Sequence, residues 1–371
     1  MFLNTLKVIF EMIDWSRVHN TESYSVMKFI LAFFSVLYRL AMEIRSVIFK
    51  HRRKNSLPGF VISVGNLTVG GTGKTPAVLM IAEWACAEGY RTAILSRGYG
   101  GRYKQEILEV TDGNEIFAGP EEAGDEPFLL AKRLNNIPVV VSKNRYKAGL
   151  YANRKFGSDF FVLDDGYQYI LLDRDLDLLL MDSSNPVGNG RLLPLGPLRE
   201  PIKCLKRADA IILTRWPEGA GTQNVFDFIQ GGVIDKPVFK SRHIPDKLVF
   251  PNDDGIFNPG YLKNRRIVAF AGIAKPIDFR KALLDLESEV LYFKSFRDHH
   301  PFTTDEFKDL YEKVDRLGAD CIVTTEKDWG RVEKIARGYP GVAYLSIRFS
   351  LLGNDDVFFG MIKKIKETYN A

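Results

Sequence analysis

From residue 60 onward, short apolar runs recur at 60–64, 91–96, 138–141, 160–163, 176–181 and 210–213. They are apolar throughout rather than alternating, which is the pattern of strands buried on both faces. A shorter run at 107–111 is a weaker strand candidate. Stretches of helical character lie between several of them, after 75, at 128–134 and at 145–156. That alternation predicts a parallel sheet covered on both sides, an α/β fold. Between residues 217 and 260 the chain becomes rich in Gly, Pro, Asp and Asn. Residues 238–241 and 248–250 are expected to pair there as a hairpin in a linker. A second, smaller alternation follows, with strands at 267–270, 290–293, 321–324 and 343–346 and helices at 276–286, 304–317 and 356–368. The expected organisation is an N-terminal segment over 1–57, a main α/β domain over 58–220, a linker over 221–262 and a C-terminal α/β domain over 263–371. Two such lobes imply a cleft able to close.

The N-terminal segment follows a different pattern. Residues 26–50 carry large apolar side chains on most of a helical circumference, and Lys28, Ser35, Arg39, Glu43, Ser46 and Lys50 form one narrow polar stripe. The preceding residues Phe2, Leu3, Leu6, Ile9, Phe10 and Ile13 have a similar face. The longest charge-free stretch, Phe29 to Tyr38, is ten residues, whereas a membrane-spanning helix needs about 20. No small-residue cleavage site follows it, so it is not a secretory signal. Two readings stand: helices lying in a membrane interface, or a helical hairpin packed on the body. The narrow stripe and the adjoining His51-Arg52-Arg53-Lys54 cluster favour the membrane.

Charge sharpens that reading. The chain of 371 residues has a net charge of +5. Residues 1–57 hold nine Lys and Arg against four acids, which accounts for all of it. A basic excess confined to one end argues for a local anionic partner and against a nucleic-acid surface spread over the fold. The three cysteines, Cys86, Cys204 and Cys321, have no metal spacing and suit a reduced compartment.

Candidate chemistry begins at Thr68-Val69-Gly70-Gly71-Thr72-Gly73-Lys74-Thr75, between the first buried run and a helix. Strand, glycine-rich loop and helix together make a phosphate cradle of backbone N–H groups at a helix start. Lys74 can reach terminal phosphates, and the Thr75 hydroxyl can hold Mg²⁺. Thr68 occupies the position of the usual first glycine. The strand at 160–163 ends in Asp164-Asp165-Gly166; one of those aspartates is expected to enter the magnesium shell. Asp125, in Gly124-Asp125-Glu126-Pro127, is either a helix cap or a carboxylate that accepts a hydroxyl proton. His299 in Asp298-His299-His300-Pro301 is either a turn residue or a histidine oriented by the adjacent acid. Arg97, Tyr99, Arg199 and Glu200 lie in loops after strands, where ligands of such sheets bind.

Together these residues resemble the tetraacyldisaccharide 4'-kinase family, the lipid A kinases of Gram-negative bacteria. The resemblance runs in order from Val64-Gly65-Asn66-Leu67-Thr68 and the phosphate loop through Ser96-Arg97-Gly98-Tyr99-Gly100-Gly101, Gly124-Asp125-Glu126-Pro127 and Asp164-Asp165-Gly166-Tyr167-Gln168. It continues with Gly188-Asn189-Gly190, Leu193-Pro194, Gly196-Pro197-Leu198-Arg199-Glu200, Asp298-His299 and Thr325-Glu326-Lys327-Asp328. The absent first glycine is a habit of that family, and Tyr169 departs from it where a histidine usually follows Gln168. The resemblance implies transfer of the ATP γ-phosphate to the 4'-hydroxyl of a tetraacylated glucosamine disaccharide monophosphate. It implies that Asp125, paired with His299, activates that hydroxyl, that Lys74 and the loop hold the phosphates, and that Thr75, Asp164 and Glu200 serve Mg²⁺. Tyr99, Asp165 and Gln168 would place substrate or nucleotide. A monomer at the cytoplasmic face of the inner membrane is expected. A membrane-associated P-loop switch is the rival reading, with Thr325-Glu326-Lys327-Asp328 a near miss to a guanine-reading motif; a kinase of a soluble small molecule is a third.

Overall fold

The structure is a computed structural model, and it describes residues 26–50, 52–217, 236–253 and 255–370. The expected helical face before residue 26, and much of the expected linker, lie outside the described residues. Helix α1 (Val26–Lys50) precedes the sheet. Then come β1 (Phe60–Asn66), α2 (Lys74–Ala87), β2 (Thr92–Ser96), β3 (Leu108–Thr111), α3 (Asp125–Arg133), β4 (Val139–Val141), α4 (Arg145–Phe156), β5 (Phe160–Asp164), β6 (Leu176–Asp182) and β7 (Ala210–Thr214). The chain continues through β8 (Val238–Phe250), β9 (Gly255–Phe257), β10 (Arg266–Ala271), α5 (Pro276–Asp285), β11 (Glu289–Ser295) and α6 (Thr304–Leu317). It ends with β12 (Cys321–Thr325), α7 (Glu326–Ala336), β13 (Val342–Leu351) and α8 (Asp355–Asn370).

Among the described residues all thirteen strands belong to one sheet, in the order β11-β10-β12-β13-β8-β7-β6-β1-β5-β2-β4-β3, with β9 added beside β8. Strands β1, β2, β4, β5, β6, β7 and β12 are buried along their whole length. This matches their unbroken apolar sequence and the helices on both faces. Strand β1 lies between β5 and β6, both parallel to it. The chain leaves β1 toward one side of the sheet and crosses from β5 to β6 toward the other. The crevice beyond the carboxyl end of β1 is thus where such a sheet binds ligands.

Residues 238–241 and 248–250 do not form the expected hairpin. They are the two ends of the single strand β8. The intervening segment stays extended because β13 supplies antiparallel partners from Leu351 opposite Ser241 to Tyr344 opposite Val249, with an irregularity near Pro245. The turn lies later, where Leu248, Val249 and Phe250 pair with β9. Strand β8 also runs parallel to β7 at Val238, Phe239 and Lys240. One strand therefore fuses the two halves of the sheet.

The C-terminal residues return to the first half. Phe349, Leu351, Phe358 and Ile362 are buried in the same cluster as β1 and α2. Phe359 stacks on Trp84 of α2 with ring centroids 4.8 Å apart, and Phe358 meets Phe239 edge-on at 5.0 Å. The last elements, expected to belong with residues 263–371, thus cover α2.

Helix α1 lies against the body along one side and leaves large apolar side chains on the other. Leu31, Ser35, Tyr38, Met42, Arg45 and Phe49 are the residues turned toward the body, at steps of three and four. Three of them are polar and bond to it: Ser35 to the Leu192 carbonyl at 2.9 Å, Tyr38 to the Arg199 carbonyl at 2.8 Å and Arg45 to the Gln168 carbonyl at 2.8 Å. Phe29, Phe33, Val36, Leu40 and Val47 point outward, each more than half exposed. Among the described residues no helix is long and apolar enough to cross a membrane.

Phe358→Ala removes a fully buried ring and should cost about 3–5 kcal/mol. Urea unfolding should show the whole transition moving to lower denaturant; an unchanged midpoint would contradict the shared core.

Candidate active site

The phosphate loop folds as its glycines require. Gly70 and Gly73 have φ of 107° and 84°, conformations that a side chain disfavours. Gly73 is the N-cap of α2. A Cβ there would lie 2.3 Å from His243 Nε2, so β8 packs directly against the loop. A neighbouring loop partner is the chain after β10, since a Cβ on Gly71 would lie 3.1 Å from Ala274. From the other side, Val69 donates to the Pro197 carbonyl at 2.8 Å and Arg199 to the Leu67 carbonyl at 2.7 Å.

Lys74 is buried, donates to Asn66 Oδ1 at 3.2 Å and lies 3.4 Å from Asp165. Thr75 is buried beside it in α2. Strand β5 brings Asp164 into register with Val64 of β1. The two adjacent aspartates differ sharply. Asp165 is held by both Lys74 and Arg199, the latter at 2.9 Å. Burial alone would raise its pKa, but those cations outweigh it and hold the carboxyl below the usual range. Asp164 accepts from the Ser96 hydroxyl at 2.8 Å through Oδ2, while Oδ1 is buried with no partner. Burial, then the nearby charges of Glu126 and Asp165, push Asp164 up to about 7. An orphaned, buried carboxylate oxygen near a P-loop threonine fits the protein share of a magnesium shell, whose remaining ligands are phosphate and water. Among the described residues no three acids, histidines or cysteines cluster as a self-sufficient metal site.

Glu200 stands elsewhere in its contacts. Both oxygens of the buried Glu200 carboxylate accept from the partly exposed Arg207 guanidinium, at 2.6 and 3.3 Å, beside Tyr167. Gln168 donates to the Asn66 carbonyl at 2.8 Å, tying the β5 loop to the strand that feeds the phosphate loop. Tyr169 has a packing role: Arg145 lies over its ring at 4.7 Å and its hydroxyl reaches Asn144 at 3.2 Å.

Asp125 is the first residue of α3, yet its side chain does not cap that helix; the N-cap is Gly124, without a side-chain cap bond. Gly124 has φ of 93°, and a Cβ there would lie 2.5 Å from the Tyr99 carbonyl, so the two glycine-rich turns are pressed together. Asp125 Oδ2 instead meets His299 Nδ1 at 2.8 Å and lies 3.4 Å from Arg331 Nε. Burial would raise its pKa, but the His299 bond and the charges of Arg331 and Lys327 prevail, so it is ionised well below neutrality. The acid that orients the His299 ring is therefore Asp125, 174 positions away. Asp298 instead takes the His299 backbone N–H at 3.1 Å. His299 has φ of 56°, a strained value of the kind that gathers at working sites. Tyr99, largely exposed, lies edge-on to the His299 ring at 6.2 Å.

Two contributors were given no role by the sequence reading, Lys327 standing there only within Thr325-Glu326-Lys327-Asp328 and Arg331 not being named. Lys327 and Arg331 are one turn apart on α7, a helix that sequence pattern also missed because Gly330 interrupts it. Gly330 faces Phe128 of α3, where the two helices pack. The i, i+4 spacing of two cations beside a strand end was the available signal. Arg331 donates to the His300 and Gly272 carbonyls, both at 3.0 Å, and pairs with Asp328 at 2.6 Å.

A raised folded-state pKa means that Asp164 binds a proton more tightly folded than unfolded. Its ionisation therefore removes stability as pH rises from about 4 to about 7. Without nucleotide, Asp164→Asn should stabilise the protein at pH 8 by on the order of 1 kcal/mol or more, and by nothing below pH 4. Thermal melts of both proteins across pH check this; a pH-independent difference would reject it.

Comparison with known proteins identifies the family. A family model described as Tetraacyldisaccharide-1-P 4'-kinase matches residues 27–366. The tetraacyldisaccharide 4'-kinase of Geobacter metallireducens is 42% identical over 306 residues, 81% of this chain and 87% of that one. That of Syntrophus aciditrophicus is 40% identical over 325 residues, 85% and 87% of the two chains. The crystal structure of LpxK from Aquifex aeolicus in complex with ATP matches with a TM-score of 0.73 at 35% identity, covering 92% of this chain and 99% of that one. A match along nearly the whole chain, in sequence and in fold, means that this protein belongs to the tetraacyldisaccharide-1-phosphate 4'-kinase family.

Proposed function

We propose that this protein is an ATP-dependent lipid kinase that phosphorylates the 4'-hydroxyl of a tetraacylated glucosamine disaccharide 1-phosphate. The observation that carries the reading is the Asp125–His299 pair, held at 2.8 Å beside a phosphate loop in a member of this kinase family. In the reaction the 4'-oxygen bonds to the γ-phosphorus, the bridging β–γ bond breaks toward ADP, and the hydroxyl proton passes to Asp125. Lys74 and the N–H groups of residues 68–75 hold the β- and γ-phosphates. Asp165 and Gln168 keep that loop in place, and Tyr99 contacts the acceptor beside His299. Mg²⁺ bound at Thr75 and Asp164 would supply charge neutralisation on the phosphate oxygens, with Glu200, oriented by Arg207, as a further candidate for that set.

The switch reading is disfavoured by the position of Thr325-Glu326-Lys327-Asp328. Its Lys327 contacts His299 at 3.3 Å, so the sequence serves the paired acid and histidine rather than a nucleobase. The outward face of α1 supports a lipid substrate: its large exposed side chains suit the interface of the inner membrane, on the cytoplasmic side, while its inner face bonds to loops next to the phosphate site.

Purified protein with Mg-ATP should phosphorylate a tetraacyldisaccharide 1-phosphate in mixed micelles. Asp125→Ala should lower that turnover by about 10²–10⁴-fold while ATP affinity stays within a few-fold; near-normal turnover would remove Asp125 from the chemistry. Separately, the triple change Phe29→Glu, Phe33→Glu and Leu40→Glu should abolish co-sedimentation with anionic vesicles without lowering the melting temperature. Retained vesicle binding would count against the interface reading.

A further inference from the structure

The loop after β11 and the first turn of α7 place an ammonium against the nitrogen of His299 that Asp125 does not use. Lys327 Nζ lies 3.3 Å from His299 Nε2, while His299 Nδ1 lies 2.8 Å from Asp125 Oδ2. Lys327 is itself held from two sides, 3.5 Å from Glu126 and 3.9 Å from Asp298. An ammonium has three donors and no acceptor. Its contact with Nε2 is a hydrogen bond only when that nitrogen presents its lone pair. The ring proton must then sit on Nδ1, where it donates to the Asp125 carboxylate. A ring protonated at both nitrogens would turn an N–H toward a cation at hydrogen-bond distance. Arg331 completes the enclosure by facing the same Oδ2 of Asp125 at 3.4 Å, and it cannot accept a proton either.

We propose that Lys327 is a positioning residue that fixes the tautomer of His299, and thereby decides which group of the pair takes the substrate proton. With Nε2 engaged by Lys327 and Nδ1–H donated to Asp125, the imidazole has no free lone pair to act as base. Asp125 Oδ2 is occupied by His299 and Arg331, so Oδ1 is the oxygen left to accept the hydroxyl proton. His299 acts as a donor that aligns Asp125, Lys327 acts through His299, and neither exchanges a proton with the substrate. Glu126 and Asp298 hold the ammonium so that its position does not depend on bound ligand. This rests on the kinase reading only for the identity of the acceptor hydroxyl; the tautomer assignment concerns the protein alone.

The test uses full-length protein labelled with ¹⁵N in the histidine rings, the His299 signals being identified by their loss in His299→Gln. The unmodified protein should show protonated Nδ1 and unprotonated Nε2. Lys327→Met, which removes the donor, should shift His299 to the other tautomer or to exchange between the two, and lower kcat about tenfold or more with ATP affinity unchanged. Lys327→Gln keeps an N–H donor without the charge and should retain the Nδ1-protonated form and recover part of kcat. A merely structural lysine would leave the ring signals unmoved. Unchanged ring signals in Lys327→Met, or Nε2 protonation in the unmodified protein, would overturn the proposal. If the ring signals shift as stated but the unmodified protein fails to phosphorylate the disaccharide lipid, the substrate assignment fails and the tautomer assignment stands.

Discussion

The bond between Asp125 and His299 joins residues 174 positions apart, and it exists only because the two halves of the chain are held in one fixed relation. A hydrogen bond to a charged group contributes only about 1.5–3 kcal/mol, far too little to assemble two halves of a chain. The shared sheet does that. Strand β8 pairs with β7 on one edge and β13 on the other, so the loops of both halves open into one cleft. Helices α3 and α7 then pack against each other, and Arg133 meets Glu326 at 3.0 Å across the join. The Asp125–His299 contact is a consequence of this rigid geometry, which is what gives it a defined direction.

Charge in the cleft is distributed unevenly rather than neutralised. Asp165 and Asp125 each have cations in contact and are held ionised. Asp164, one residue from Asp165, has a hydroxyl on one oxygen and nothing on the other. Neighbouring carboxyls with opposite shifts take different roles. Asp165 holds protein groups in place, Asp125 is kept ionised and so able to accept a proton, and the unsatisfied Asp164 is destabilised until a cation arrives. The stability that Asp164 forgoes in the free protein is stability that ligand binding can restore.

The features legible in the sequence were those encoded locally. A glycine-rich loop between a strand and a helix, or an acid at the end of an apolar run, carries its meaning within about ten residues. The buried strands were legible for the same reason. Asp125 was ambiguous because the same residue at a helix start serves as cap or as base, and only a histidine from the other half decides between them. Asp298 looked like the partner of His299 because adjacency is visible and tertiary contact is not. The turn expected within β8 failed because extended backbone there is stabilised by β13, a strand almost a hundred residues later. Which side of α1 meets the body was not legible, because Ser35, Tyr38 and Arg45 find their carbonyl partners on loops more than a hundred residues away.

The return of the C-terminal elements to the first half has a consequence for synthesis. The ribosome completes residues 58–217 before the elements that cover α2. Here Trp84 and Phe239 wait for Phe358 and Phe359. The apolar back of the phosphate-binding helix therefore lacks this cover until Phe358 and Phe359 are translated. Stalled or prematurely terminated chains would expose the apolar back of α2, which marks them for aggregation or removal rather than leaving a partial kinase that consumes ATP.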